Sequence, residues 1–514
     1  MTDLTREIRE SYEELPYRSG PHYASHPDCL ATVARLRGLE APDIARCRVL
    51  ELGCATGGHL LPMALVLPGS EFVGVDLAPG HIATARESAE AVGLDNVRFL
   101  AADVRELPDD LGTFDYILCH GVYSWVPRDV REAVLSLMGE HLSEDGLATL
   151  SFNALPGSQP RNSVRGLFRF ALERVLSPDT PVENARALLQ TLPPALDGLE
   201  GAFVDQLRGI ASECADVEGY YLAHEYLAPV NRPFHLWEVV RDAEAHGLHW
   251  VGDAWDHDDG EGLPGPVQQL LDRLSPTRAD RRQWLDLLQD RAFHRAVFCR
   301  NERIPTQDAM DASVVPELHA GAGAWPVSDD RQDPVGSAGA ASAFASRTHR
   351  VSTNIPMVEV ALRHLHDAWP ASLPVRDLWE ASRTEVRNSG ADARAPAGLD
   401  DLSDALLRCY RHHLVSLHVR PFPVQPTPTV RPLGSPLARH QAGRGPEVTN
   451  LVHQRVRLGE AERRVLRVLD GERDRVAVLA AVAMEEPGEE MSEEQLEGSL
   501  EVLGRAGLLH VDSR

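Results

Sequence analysis

A doubly wound α/β fold, a parallel sheet with helices on both faces, is what this sequence predicts for its first third. Three observations carry that reading. Between residues 47 and 152 short apolar runs alternate with helical stretches. The first run empties into a glycine-rich turn, ELGCATGG starting at Glu51, and the second and third runs lead into Asp76 and Asp103. Apolar strands separated by helices of about 10–15 residues build a parallel sheet. In such sheets a ligand sits beyond the carboxyl ends of the strands, beside the first one.

The first strand is the run at 47–52, and a helix follows from Gly57 through the apolar stretch at 60–67. The second strand, 71–75, leads into a helix at 79–92 that opens on Pro79 and is closed by Gly93, the residues favoured at those two ends. Strands at 97–101, 114–119 and 147–152 follow, with a helix at 128–142 between the last two. Past residue 160 the pattern turns helical, over 164–175, 182–192 and 202–214. An amphipathic helix at 236–246, closed by Gly247, then precedes strand-like runs at 249–252 and 294–300.

This order divides the chain into four parts. Residues 1–160 form the ligand-binding α/β unit. Residues 161–302 form a middle unit, in which 161–233 is a helical insertion and 234–300 completes the sheet; a separate middle domain is the alternative. Residues 303–352, rich in Pro, Gly, Ala and Ser, read as a linker, notably at 336–342. Residues 353–514 are mainly helical, over 357–368, 375–384 and 399–413. A proline-rich stretch at 420–428 interrupts them. Helices at 460–469, 474–483 and 493–506 with a short strand at 508–511 suggest a winged-helix-like end. Its acidic pairs, Glu485-Glu486 and Glu489-Glu490, favour protein over DNA as its partner.

Composition narrows the chemistry. The 514 residues carry 51 basic and 77 acidic side chains, a net charge of −26, and no lysine at all. Schiff-base catalysis and a triphosphatase-type phosphate loop both need a lysine, so neither applies. The negative charge disfavours nucleic acid and favours a cationic substrate. The first 17 residues have no apolar segment, and the apolar stretch at 60–67, broken by Pro62, is far short of a membrane span. The seven cysteines form no CxxC pair, which reads as reduced thiols without a zinc site. The expectation is a cytoplasmic protein with no membrane or nucleic-acid partner and no metal, with a homodimer as the candidate assembly.

The candidate site lies at the strand ends. Gly53 and Gly57 let backbone approach a ligand closely at a helix entrance. Asp76 is placed to accept hydrogen bonds from both ribose hydroxyls, and Asp103 adds a second carboxylate at the rim. The plainer alternative is that Asp76 and Asp103 only cap the turns that follow them. The spacing is GxAxG rather than GxGxxG, so it does not match a dinucleotide fingerprint.

This set resembles the class I S-adenosylmethionine-dependent methyltransferases, whose Rossmann-like sheet carries an acidic residue followed by GxGxG. The resemblance implies S-adenosylmethionine as cofactor, with Glu51, Gly53 and Gly57 along its methionine part, Asp76 at the ribose and Asp103 at the adenine. Ala55, Leu77, Val104, Tyr17 and His120 join the same cofactor set, Ala55 departing from the family's middle glycine. In this topology side chains after the fourth and fifth strands border the methyl group. Here they are His120, Tyr123, Trp125 and Asn153, with loop hydrogen bonding or core packing as the alternative for each. Tyr12 to Tyr17 is expected to fold over the cofactor as a lid, so that truncating residues 1–25 should weaken cofactor binding. His224 and Glu225 look like a base pair or metal pair, but neighbours on a helix point to different faces; structural packing is the expectation.

A closer resemblance is carried by YEELPY at Tyr12–Tyr17, SHPD at Ser25–Asp28, YLAHEYL at Tyr221–Leu227 and VFCR at Val297–Arg300. These blocks are similar to bacterial methyltransferases that carry a methyltransferase regulatory domain. PLAR at Pro436, VTNL at Val448 and LDG at Leu469 are similar to their C-terminal domain. The best-described members are bacterial protein lysine methyltransferases, including rickettsial ones acting on outer-membrane proteins. The resemblance implies methyl transfer to a protein or peptide, at lysine nitrogen, by in-line displacement. The alternatives are a small-molecule or peptide natural-product acceptor and a non-catalytic regulator that binds the cofactor.

Overall fold

Seven strands form the central sheet: β1 Arg48–Leu52, β2 Glu71–Asp76, β3 Val97–Ala101, β4 Phe114–Cys119, β5 Leu142–Asn153, β6 Leu248–Asp253 and β7 Phe293–Arg300. The computed structural model describes residues 3–108, 111–174, 180–214, 217–255, 257, 260–327, 342–346, 349–388, 398–485 and 491–511. The strand order is β3-β2-β1-β4-β5-β7-β6. The first five strands pair in parallel, whereas β7 runs antiparallel to both β5 and β6. The order reverses between β1 and β4, so the loops leaving these two strands open side by side. β1 and β4 are buried along almost their whole length, as strands covered on both faces must be.

The helices that position the site are α1 Asp3–Glu14, α2 Pro27–Leu36, α3 Leu60–Val66, α4 Pro79–Ala91, α5 Arg128–His141 and α6 Gln159–Arg174. On one face of the sheet Leu30, Met63, Ile82 and Ala85 of α2, α3 and α4 join a single buried cluster. On the other, Val134 and Met138 of α5 pack with Val239 and Ala243 of the helix Leu236–Glu244. The insertion between β5 and β6 builds its own small core from Val164, Phe168, Leu189, Ile210 and Tyr226. It ends in a one-turn π-helix, Leu222–Leu227.

Within the stretch read as a linker, the described residues include folded elements. Ala312–Glu317 is a short helical turn, and His319–Gly321 pairs antiparallel with Leu373–Pro374 and Ser416–His418. Trp325–Val327, Ser342–Ala345 and Arg350–Thr353 form a second small sheet. Ala320, Ala322, Ala324 and Phe344 are buried in the core of the C-terminal region. Small side chains let this backbone pack closely, and the same small side chains give no hydrophobic period to read. The run at 336–341, and Glu486, Glu489 and Glu490 of the acidic pairs, lie outside the described residues.

The C-terminal region is fastened to the sheet unit by Asp28 at the start of α2. Its buried carboxylate accepts bonds from the Tyr23 hydroxyl at 2.7 Å, His418 Nδ1 at 2.8 Å and Val419 N–H at 2.9 Å. The last three long helices, Glu460–Val468, Arg475–Glu485 and Glu493–Arg505, share one apolar core with Leu508 and Leu509. All seven cysteines are free and buried. Among the described residues no group of side chains has the makings of a metal site, and no helix is long and apolar enough to cross a membrane.

Candidate active site

A cavity of about 360 Å³ lies beyond the carboxyl ends of β1 to β5, roofed by α1 and the chain that follows it and walled on one side by the insertion. The turn after β1 makes its floor. Gly53 has φ +79°, and a Cβ there would come within 2.4 Å of the Val122 side chain, so only glycine fits. Ala55 also adopts a left-handed conformation, at φ 44°, which costs a non-glycine residue about 1 kcal/mol. Its N–H donates to Asp76 Oδ2 at 2.8 Å, a bond that offsets the strain.

The acidic residues at the strand ends line this cavity in three different states. Glu51 is buried, and among the described residues its Oε2 has no partner. Burial, and then the neighbouring Asp76 charge, push its carboxyl up to about 8. Asp76 Oδ1 accepts the Ala78 N–H at 2.9 Å and lies 3.2 Å from His81 Nδ1. Asp103 is clamped by Arg105, whose Nη2 reaches Oδ2 at 2.6 Å and whose Nε reaches Oδ1 at 3.0 Å. That side-chain bond holds the Asp103 carboxyl below its ordinary range. Asp76 and Asp103 each hold the backbone of the following turn and also face the cavity, so the capping role and the site role coincide.

Tyr17, Glu51, Gly53, Ala55, Asp76, Leu77, Asp103, Val104, His120, Trp125 and Asn153 all line the cavity, as the sequence leads one to expect. Two expected residues do not. Gly57 lies beneath the turn, where an added Cβ would meet Phe99 and Ala85. Tyr123 is 1% exposed and packs against Phe234 and Phe152 in the core, because the turn after β4 sends Trp125 rather than Tyr123 toward the opening. His120 stacks on His22 at 3.9 Å, with Ser25 Oγ 3.3 Å from its Nδ1. Burial, followed by the neighbouring His22 and His59, holds its imidazole well below the usual histidine range, so it stands neutral. Asn153 Nδ2 donates to Asn231 Oδ1 at 3.1 Å.

The N-terminal segment closes the roof, as its position ahead of β1 suggests. Arg105 Nη2 donates to Thr5 Oγ1 at 3.2 Å, and the Gly80 N–H donates to Glu13 Oε1 at 3.0 Å. Ser19 Oγ accepts the Gly58 N–H at 2.8 Å. His224 Nε2 donates to the Leu15 carbonyl at 2.6 Å, and its ring stacks on Tyr12 at 4.5 Å. The lid is thus tied to the ends of β2 and β3, to the glycine turn and to the insertion.

His224 packs as expected, buried against Tyr12 and Leu15, and both it and Glu225 also line the cavity, with Tyr221 and Arg161 beside them. Adjacent positions diverge by about 100° on an ordinary helix. The segment here is a π-turn rather than an ordinary helix, a local irregularity that is frequent at functional sites. Tyr12, Ser19, His22, His59, His81 and Phe293 also line the cavity. Of these only Tyr12 carried a signal, its place in the aromatic lid segment.

The chain resembles known proteins along most of its length. Family models match for a methyltransferase domain at residues 49–146, a predicted methyltransferase regulatory domain at 218–300, and a "PKMT, C-terminal winged helix domain" at 431–505. The uncharacterised protein RP789 of Rickettsia prowazekii is 27% identical over 483 residues, 92% of this chain and 85% of its own length. RP028 of the same organism is 30% identical over 234 residues, 46% of this chain and 94% of its own. Among solved structures, PKMT2 from Rickettsia typhi in complex with AdoHcy matches with a TM-score of 0.83 at 22% identity, covering 96% of this chain and 100% of that one. That likeness establishes the shared fold.

Proposed function

Because this chain belongs to the methyltransferases that join their methyltransferase domain to a regulatory domain and a C-terminal winged helix, we propose that it moves a methyl group from S-adenosylmethionine to a protein side chain, with lysine nitrogen as the acceptor. The residues present fit that cofactor. The buried Oε2 of Glu51, unpartnered among the described residues, is the observation that carries the reading, since a buried polar oxygen left without a hydrogen-bond partner costs a few kcal/mol that a bound ligand can offset. Asp76 stands beside it with its carboxylate fixed, and Asp103 and Val104 continue the same wall from β3. When bound, S-adenosylmethionine supplies a methyl group on a positively charged sulfur, displaced by an acceptor lone pair with the sulfur leaving as a neutral thioether.

The chain's own residues supply position and environment. Asp76 and Asp103, joined by Glu225 where it is ionised, line the cavity with negative charge, a field that attracts cations and repels anionic acceptors, while Glu51, pushed up to about 8, stands mostly protonated near neutral pH. Tyr12 and Tyr17 on the lid exclude water from the roof. Holding the acceptor at reacting distance is worth several kcal/mol of barrier. A lysine amine, with a pKa of about 10.4 in water, must also shed a proton to expose its lone pair. The name PKMT borne by the structural relative supports a protein acceptor. The ties that hold the lid down favour a second reading, a small acceptor enclosed beneath it.

One experiment separates the two. The protein is incubated with methyl-labelled S-adenosylmethionine and a lysate of its host, and the label is then followed into protein and small-molecule fractions. Label on lysine of a protein band is the expected outcome; label confined to the small-molecule fraction favours the second reading.

Removing residues 1–18 takes Thr5, Tyr12 and Tyr17 from the cavity wall and cuts the ties at Arg105, Gly80 and His224. S-adenosylhomocysteine affinity is expected to fall by about tenfold or more, because each lost contact is worth ~1 kcal/mol. Calorimetric titration checks this, and unchanged affinity would reject the lid.

A further inference from the structure

We propose that Glu225 is a catalytic residue, the carboxylate that receives the cationic amine of the acceptor and takes its proton before methyl transfer. The inference rests on the methyl-transfer reading above. Asp76 and Asp103 are committed to backbone N–H groups and to Arg105. Glu225 faces the same cavity, yet among the described residues none bonds or pairs with its carboxylate. It sits on the π-turn of the insertion, whereas Glu51 and Asp76 belong to the sheet.

The groups whose charge bears on Glu225 come from the lid and the insertion, not from the strand ends. They are the hydroxyls of Tyr12, Tyr17 and Tyr221, the Cys214 thiol and the guanidiniums of Arg161 and Arg165. The two arginines are engaged elsewhere, Arg161 with Glu213 at 3.4 Å and Arg165 with the Ala228 carbonyl. The Tyr12 ring lies between the two halves of the cavity, 5.7 Å from the ring of His81, which meets Asp76, and 4.5 Å from the ring of His224, which precedes Glu225. His224, next in the chain, holds the lid over this half through Leu15.

Glu225 shares the cavity wall with Tyr12, Tyr17 and Tyr221, a set that suits an alkylammonium: the carboxylate pairs with the charge, and the aromatic wall takes the apolar stem. Burial raises the Glu225 carboxyl to about 7 despite the two arginines. A carboxylate so raised is a better proton acceptor than one in water, because its basicity lies nearer that of the amine. The step is R–NH₃⁺ plus carboxylate giving R–NH₂ plus carboxylic acid. The nitrogen keeps the lone pair that bonds to the methyl carbon, and the carboxyl later returns its proton to solvent.

The probe is n-butylammonium, the end group of a lysine side chain, titrated into protein saturated with S-adenosylhomocysteine. Wild type is expected to bind it, more tightly at pH 8 than at pH 6, since Glu225 must be ionised. In that interval both arginines stay charged, the three tyrosines and Cys214 stay neutral, and His224, held below its usual value by burial, is neutral at pH 8; Glu51, which lines the same cavity, also begins to ionise toward its value of about 8, so the part of the pH dependence that belongs to Glu225 is the part that Glu225→Gln loses. Glu225→Gln should lose about tenfold or more of that affinity and keep S-adenosylhomocysteine binding, which also reports that the variant is folded. Glu225→Asp, which keeps the charge, should restore part of the loss and of the pH dependence. Absence of butylammonium binding by the wild type, equal binding by Glu225→Gln, or loss of S-adenosylhomocysteine binding in folded Glu225→Gln would each overturn the assignment. Failure of wild type to bind S-adenosylhomocysteine at all would instead bring down the methyl-transfer reading.

Discussion

Replacing Asp76 with alanine is expected to weaken S-adenosylhomocysteine binding by about 100-fold or more, the sum of two separate losses. The first is the carboxylate itself, the acceptor that stands ready for ligand hydroxyls; a bond to a charged group contributes about 1.5–3 kcal/mol. The second is the scaffold. Asp76 Oδ2 holds the N–H of Ala55, a non-glycine residue at φ 44°, and Oδ1 holds the N–H of Ala78. Without the carboxylate both donors lose their partner and Ala55 loses the bond that offsets its strain, so the glycine turn relaxes away from the cavity. Asp76→Asn separates the two effects: its amide oxygen can hold one of these N–H groups, so it should bind better than Asp76→Ala and worse than wild type. Calorimetric titration of each variant is the measurement. An Asp76→Ala affinity within about threefold of wild type would remove Asp76 from the site.

The largest effect on stability is expected at His294, which does not line the cavity. Its ring is 1% exposed and bridges two buried carboxylates, with Nδ1 2.9 Å from Asp253 Oδ2 and Nε2 2.7 Å from Asp286 Oδ2. Asp286 also meets Arg282 at 2.9 Å and Arg291 at 3.1 Å. The bridge ties β7 to the end of β6 and to the helix Arg278–Gln289, and so holds the antiparallel edge on the parallel sheet. His294→Ala leaves both carboxylates short of a partner, and breaking a buried pair from one side costs about 3–5 kcal/mol. That is a large share of the ~5–15 kcal/mol by which a folded domain exceeds its unfolded state. Urea denaturation followed by circular dichroism should show the loss as a lower midpoint, and a fall under about 1 kcal/mol would refute the account.

The same cluster fixes the pH window of that stability. Burial opposes the charged imidazole, but the Asp253 and Asp286 bonds outweigh it, so His294 lies above its ordinary value of about 6.5. Its contribution is therefore complete below about 6.5 and drains away as the pH rises through the raised value. Asp253, held well below its ordinary ~3.9 by His294 against the cost of burial, contributes fully above that pH and is lost on acidification.

Much of the site was legible before the fold was known, because its first parts are local. A carboxylate directly before a glycine turn, and an aspartate at the end of each of the next two strands, are fixed by chain position and by the period of the sheet. Glu51, Asp76 and Asp103 fall where that period puts them. Tyr123 and Trp125 could not be ranked in the same way, since two aromatic residues in one loop have the same hydropathy whichever of them turns inward. Ala320, Ala322 and Ala324 looked like linker for a related reason: small side chains show no period, though they are what a closely packed strand requires.

The sequence by itself determined the parallel sheet, the place of the cavity beyond its carboxyl ends, and the acidic residues that line it, since each follows from strand periodicity and from short-range backbone geometry. Only the tertiary structure decided what stands across from that edge. Glu225, His224 and Tyr12 reach the cavity from segments more than 200 residues apart along the chain, and no local pattern can encode a meeting that exists only once the lid and the insertion have packed against each other.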